Sequence, residues 1–262
     1  MRQSFLDELS EKNSKPNNKY LKLLNWNIAN PSINKAHKQA EFIKKNKFDI
    51  LVLTEIKNSE GCKFLRDRLQ SLNYQVYFPY INSDEDNYGT LIAIKKHIKS
   101  TLLNLDVNFL AHRIPSINCQ IKNKSITITG VYHPPTNNNH REAFLKELKK
   151  FLQSQNQENW IVLGDLNIPR PDLIVKSETD QYNTKISREI YNSFLDSKLI
   201  DTFHHLNQKR EPSIVRKNKG YRPDNIFISK NLINTLKNCS FIHQARSSGL
   251  SDHSPMILTL NI

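Results

Sequence analysis

Two strand-like runs near the middle of the chain constrain its fold most. Ser116–Ile121 and Ser125–Tyr132 each alternate apolar and polar residues, and the Asn123-Lys124 pair between them reads as a two-residue hairpin turn. Antiparallel neighbours joined this tightly leave no room for the crossover helix that a parallel sheet needs. A doubly wound parallel sheet is therefore disfavoured, and the remaining elements have to be fitted around antiparallel pairs.

On the N-terminal side, strand and helix signals alternate: Tyr20–Ile28 strand, Lys35–Lys45 helix, Ile50–Glu55 strand, Cys62–Leu72 helix, Tyr74–Tyr80 strand and Thr90–Ile94 strand. After the hairpin come a helix at Arg141–Gln153, a buried-type strand at Trp160–Leu163 and a helix around Ser187–Ser197. Strands follow at Asn225–Ser229, Ser240–Gln244 and Met256–Asn261. Two mixed, mainly antiparallel sheets packed face to face with helices outside accommodate this order. Residues 1–18 are polar and rich in Asn, Lys and Ser, which predicts a flexible tail before a single domain over residues 19–262.

The chain of 262 residues is long enough to bury a sizeable core, and 37% of it is hydrophobic. No stretch approaches the ~20 apolar residues of a membrane span, and the first residues lack the apolar core of a secretory signal. The expectation is a cytoplasmic monomer without stable membrane association. Cys62, Cys119 and Cys239 are widely spaced, which predicts structural thiols rather than a disulfide or zinc framework. The formal charge of +13 points to a polyanionic partner, DNA first among them. Part of that basicity accompanies a general abundance of Lys and Asn, so local clustering is the sharper signal. Lys209, Arg210, Arg216, Lys217, Lys219 and Arg222 face only Glu211 between Leu206 and Arg222, and this stretch is expected at substrate phosphates.

Polar residues gather where apolar strands end. Asn25 and Asn27 close the first strand, and Glu55 closes Leu51-Val52-Leu53-Thr54. A glutamate there needs a compensating charge, which makes it the first candidate metal ligand. Tyr132 and His133 precede Pro134-Pro135, which fix the backbone just beyond a strand. Asp165 and Asn167 stand two apart after Trp160–Leu163, on one side of an extended segment. Asp224 opens the strand at Ile226, and Asp252-His253 precedes the last strand. Adjacent residues face opposite ways, so His253 is expected toward substrate with Asp252 toward a metal or the flank.

The ordered set Leu24-Asn25-Trp26-Asn27, Leu53-Thr54-Glu55, Gly130-Val131-Tyr132, Gly164-Asp165-Leu166-Asn167, Pro223-Asp224-Asn225-Ile226 and Ser251-Asp252-His253-Ser254-Pro255 resembles the endonuclease/exonuclease/phosphatase superfamily. That superfamily includes exonuclease III-type abasic-site endonucleases, retrotransposon endonucleases, pancreatic-type deoxyribonucleases, inositol polyphosphate 5-phosphatases and neutral sphingomyelinases. The resemblance implies a four-layer α/β sandwich. It implies Glu55 as principal Mg²⁺ ligand, with Mn²⁺ as a substitute, and Asn27 and Asp252 in the metal or phosphate shell. His253 is placed at the scissile phosphate, oriented by Asp224. Asp165 aligns or deprotonates the attacking water, and Asn167 and Tyr132 donate to phosphate oxygens.

Two positions depart from many abasic-site enzymes. Ala29 stands where they carry Asp, and Tyr221-Arg222-Pro223-Asp224 replaces a Trp-Arg-x-Asp pattern. Tyr221, like Tyr182, offers a ring for stacking on a sugar or base, and Arg222 is expected beside it at the substrate. His133 and His140 read as surface residues. His204-His205 lies in the basic, loop-rich region. The favoured function is metal-dependent hydrolysis of DNA phosphodiester bonds, as endonuclease or exonuclease, abasic-site cleavage and nicking included. The alternative is a phosphoinositide or other phosphoester phosphatase with the same core. A binding module with a dead site is disfavoured because every central position is filled.

Overall fold

The computed structural model describes residues 20–79, 88–155, 158–168, 184–207, 209 and 211–262. In chain order the elements are β1 (Tyr20–Asn27), α1 (Ile33–Asn46), β2 (Ile50–Ile56), α2 (Glu60–Ser71), β3 (Tyr74–Tyr77), β4 (Gly89–Lys95) and β5 (Lys99–Leu102). Next are β6 (Ser116–Ile121), β7 (Lys124–Tyr132), α3 (Arg141–Ser154), β8 (Trp160–Asp165), α4 (Lys185–Asp196), β9 (Leu199–Asp201) and α5 (Thr202–Leu206). The last are β10 (Ile214–Arg216), β11 (Lys219–Tyr221), β12 (Asp224–Ser229), β13 (Leu236–Phe241), α6 (His243–Ser247) and β14 (Met256–Asn261). Residues 1–18, expected as a tail, lie outside the described residues, as do Tyr182 and Arg210.

Among the described residues there are two six-stranded sheets, ordered β13-β14-β1-β2-β4-β3 and β5-β6-β7-β8-β12-β9, with β10 and β11 as a separate hairpin. Pairing is antiparallel except between β1 and β2 and between β7 and β8. Strand alternation sorts the core into three seams. Leu21 and Leu23 of β1, Val52 of β2 and Ile92 of β4 meet Ile128, Ile161, Leu163 and Ile226 of the second sheet. On the outer face of the first sheet, Leu24, Trp26, Leu51 and Leu53 pack on Ala36, Ala40 and Ile43 of α1 and Leu65 of α2. On the outer face of the second, Val131, Val162 and Phe227 pack on Phe144 and Leu148 of α3 and Ile190 and Phe194 of α4. The result is a four-layer α/β sandwich.

Helix boundaries follow local chemistry. The Ser32, Ser59 and Thr184 side chains accept from Lys35 N, Cys62 N and Ser187 N and so cap α1, α2 and α4. Three strand expectations change. The β6–β7 turn is Lys122-Asn123, because Ile121 pairs with Lys124 and Lys122 takes the left-handed conformation. The strand expected at Ser240–Gln244 is Leu236–Phe241, and α6 begins at His243; an irregularity between Leu236 and Asn238 breaks the alternation that would have marked its start. The strand from Tyr74 ends at Tyr77. Strands β5, β9, β10 and β11, of three or four residues, are too short to show a period. No described helix is long and apolar enough to cross a membrane.

Gly164 is where the second sheet has no room for a side chain. A Cβ there would stand 1.8 Å from the Val131 carbonyl oxygen. Both are backbone groups in the β7–β8 ladder that carries Asp165, so neither can yield locally. Gly164→Ala is expected to lower the unfolding free energy by about 3 kcal/mol or more, as overpacking against a fixed backbone does. The midpoint of denaturant unfolding measures it, and an unchanged midpoint would contradict the close approach.

Candidate active site

The alternation that buries Leu21 and Leu23 between the sheets continues to Asn25 and Asn27, which therefore also face inward. The same parity carries Ile161 and Leu163 on to Asp165, and Ile228 and Ile226 back to Asp224. All of these residues lie at one end of the sandwich, where apolar inward positions give way to polar ones. Asn25 ties the sheets together there, its Nδ2 donating to Gly164 O at 3.1 Å and Asn225 O at 3.3 Å. Asn27 Nδ2 donates to both Glu55 Oε1, at 2.9 Å, and Asp165 Oδ2, at 2.8 Å.

Glu55 reaches this cluster against its parity. Leu51 and Leu53 of β2 face the outer helices, so a regular strand would send Glu55 the same way. The β2–β4 ladder shifts register between Thr54 and Ile56, and Glu55 has φ of 58°. This local bulge re-aims the carboxylate inward, a use of bulges common beside functional sites. Tyr132 OH donates to Glu55 Oε1 at 3.3 Å. Burial, then Glu55 and Asp165, push the Tyr132 phenol well above its ordinary pKa, so it stays a donor.

His253 Nδ1 lies 2.7 Å from Asp224 Oδ2, and both side chains are buried. Its backbone is held by two hydrogen bonds, one of them relayed to β1. Trp26 Nε1 donates to His253 O at 3.1 Å, His253 N donates to Ser251 Oγ at 3.1 Å, and Ser251 Oγ in turn donates to Asn27 O at 2.6 Å. Burial alone would lower the imidazole pKa. The charge and hydrogen bond of Asp224, with Asp165 and Asp252 beyond, raise it above the ordinary histidine value instead. Burial raises Asp165 as well, joined by Asp224 and Glu55, while His253 and the Asn167 N–H hold it down. Asp165 Oδ1 accepts from Asn167 N at 2.8 Å, and Asn167 Nδ2 donates to His133 O at 2.8 Å.

A small cleft opens beside His253, walled by Asn167, Ile168, Ile214, Arg216, Tyr221 and Pro223. The β10–β11 hairpin is stitched to the histidine loop by Ser254 N donating to Ser213 O at 2.7 Å and by an Ile214–His253 bridge. Lys217 and Lys219 are exposed at its tip, and Lys209 is exposed ahead of it.

Two expectations, for Arg222 and His133, are corrected. Tyr221 faces the cleft, so Arg222, next on an extended chain, faces away. Arg222 is buried, its Nη2 donating to Asp201 Oδ2 at 2.7 Å and its guanidinium 5.0 Å from the Phe203 ring centroid. Asp252 takes the flank, the second of its two expected places: half-exposed, it pairs with Arg216 at 3.4 Å and shares no hydrogen bond with Glu55 or Asn27 among the described residues. His133 is fully buried, edge-on to Phe144 with centroids 5.1 Å apart, and burial lowers its pKa. Its neighbour Arg141, which no motif marks, is buried beside it.

The donor set fits a small hard cation at Glu55. Among the described residues no hydrogen bond falls on Glu55 Oε2, and the residue is only partly buried. One open carboxylate oxygen beside an amide suits Mg²⁺, which keeps several waters and takes one or two carboxylates. Asp165, Asp224 and His253 each have a ligand-type atom within 4.8 Å of the others. Both Asp165 oxygens and His253 Nδ1 are committed to hydrogen bonds, while Asp224 Oδ1 is buried without a partner among the described residues.

The sequence model of the Endonuclease/Exonuclease/phosphatase family matches residues 24–253. A DNA-(apurinic or apyrimidinic site) endonuclease from Dictyostelium discoideum is 23% identical over 280 residues, covering 98% of this chain and 74% of that protein. An AP endonuclease from Archaeoglobus fulgidus has the same fold, with a TM-score of 0.75 and 22% identity over 92% of this chain and 100% of that one. So does the 3′ phosphatase NExo from Neisseria bound to a product DNA hairpin, with a TM-score of 0.71 and 19% identity over 92% of this chain and 100% of that one.

If Asp224 acts through His253, their losses do not add. His253→Ala is expected to slow turnover by at least ~10²-fold, the usual size for a lost general base or donor. Asp224→Asn should slow it less, and the double variant should match His253→Ala. Steady-state kinetics of the three variants measure this, and full multiplication of the two losses would contradict the pairing.

Proposed function

Because this chain belongs to the endonuclease/exonuclease/phosphatase family, we propose that it is a metal-dependent phosphodiesterase acting on DNA. The observation that carries this reading is the buried Asp224–His253–Asp165 cluster linked through Asn27 to the partly open Glu55 carboxylate. A basic hairpin stitched to the histidine loop supports a polyanionic substrate. The names of the Dictyostelium and Neisseria relatives, which refer to DNA, favour DNA over a phosphoinositide.

Asp165, inward and hydrogen-bonded on both oxygens, holds a water for in-line attack on phosphorus and receives its proton, while the ester P–O bond opposite the water breaks and its oxygen departs with the released strand, protonated from solvent. His253, charged and fixed by Asp224, turns Nε2–H to a non-bridging phosphate oxygen. The Tyr132 phenol supplies a second donor. These groups are set before substrate arrives, so charge developing on the phosphoryl oxygens meets oriented dipoles at little reorganisation cost. Glu55, beside Asn27, would hold a Mg²⁺ ion, which would supply Lewis-acid neutralisation of phosphate charge. The apolar wall of Ile168, Ile214 and Tyr221 beside His253 takes the sugar or base next to the scissile bond.

One assay panel tests the proposal: supercoiled plasmid, an abasic-site duplex and phosphatidylinositol phosphate vesicles, each with Mg²⁺ and with a chelator. Mg²⁺-dependent DNA cleavage without lipid turnover is expected. Replacing Lys209, Arg216, Lys217 and Lys219 together with Ser should weaken duplex binding and flatten its salt dependence by roughly 0.9 in log–log slope per lost phosphate contact. Single-turnover cleavage at saturation should stay near that of the unmodified protein. Lipid turnover without DNA cleavage would overturn the substrate.

A further inference from the structure

We propose that Arg141 is a positioning residue that clamps the loop carrying Asn167 and so fixes the Asp165 carboxylate. This rests on the reading of Asp165 as the group at the attacking water.

Arg141 is an unusual choice for its place. It is the first residue of α3, where the helix dipole is positive and a cation is disfavoured, and it is 3% exposed. Among the described residues no carboxylate pairs with it, and its Nε has no hydrogen-bond partner. Burial pulls the guanidinium pKa down to about 10, with Asp165 acting in the opposite direction, so it remains a cation at neutral pH. A buried charge without an ion-pair partner is costly, and an apolar residue of similar volume would serve packing better.

Its hydrogen bonds show what the charge secures. Nη1 donates to Pro134 O at 2.6 Å, while Nη2 donates to Asn167 O at 3.0 Å and Ser187 Oγ at 3.1 Å. One rigid fork thus joins the loop after β7, the loop after β8 and the start of α4. Asn167 needs such a hold, because its φ of 49° lies in the left-handed region. From Asn167 the constraint passes to the chemistry, since its N–H donates to Asp165 Oδ1. The same loop forms one wall of the cleft at His253. His133 Nδ1, 3.5 Å from Nη1, is a fourth acceptor, and lysine cannot reproduce a planar fork across all four.

The test is steady-state kinetics of Arg141→Gln and Arg141→Lys on whichever DNA the unmodified protein cleaves, beside Asp165→Asn. Folding is checked by thermal melting. Both Arg141 variants should lose kcat by ~10- to 100-fold with KM little changed, the size typical of lost supporting contacts. Should neither Arg141 variant fold, Ser187→Ala, which removes one acceptor, decides the matter through a smaller fall in kcat at constant KM. An unchanged kcat, or a rise in KM alone, overturns the positioning role. That outcome is distinct from failure of the site reading, in which Asp165→Asn would keep full activity.

Discussion

Asn27 Nδ2 donates at once to Glu55 Oε1 in its own sheet and to Asp165 Oδ2 in the other. Two carboxylates converging on one point in a water-poor interior repel, and Asp224 stands behind them. A shared amide donor lets them converge without a protein cation between them. The remaining geometry rests on that contact. Asn27 O also accepts from Ser251 Oγ, and Ser251 Oγ receives His253 N, so one residue sets the relative positions of the candidate metal ligand, the candidate base and the candidate phosphate-binding histidine.

The cluster sits where it does because the sandwich has two facing inner surfaces and alternation runs unbroken along β1, β8 and β12 to their polar ends. Inward positions are apolar along most of β1, β8 and β12 and become Asn27, Asp165 and Asp224 at one end. The apolar portion glues the sheets. The polar portion inherits that rigidity, so its side chains hold their geometry without a substrate present.

Much of this was legible in the sequence. The polar residues at the strand ends, their order along the chain and the face-to-face sheets follow from periodicity and position, and the structure gathers Asn27, Glu55, Tyr132, Asp165, Asn167, Asp224 and His253 at one end of the sandwich. Where the reading failed, the cause is a neighbour distant in sequence. Arg222 carries the charge of a basic stretch, yet Asp201 captures it inside the fold. His133 reads as a surface residue because nothing in the local sequence announces Phe144 against its ring. Glu55 was selected for its charge, while the bulge that turns it inward leaves no compositional mark.

The most direct test of the account is the single-turnover rate of Asn27→Leu, with its fold checked by thermal melting. Leucine keeps the branched skeleton, with somewhat larger methyl groups, and removes the shared donor. The account predicts a loss of ~10²-fold or more in the chemical step at saturating DNA and Mg²⁺, the size expected for a lost oriented donor. A folded Asn27→Leu protein cleaving at the unmodified rate would show that the two sheets' acidic groups do not depend on that amide, and the account would be wrong.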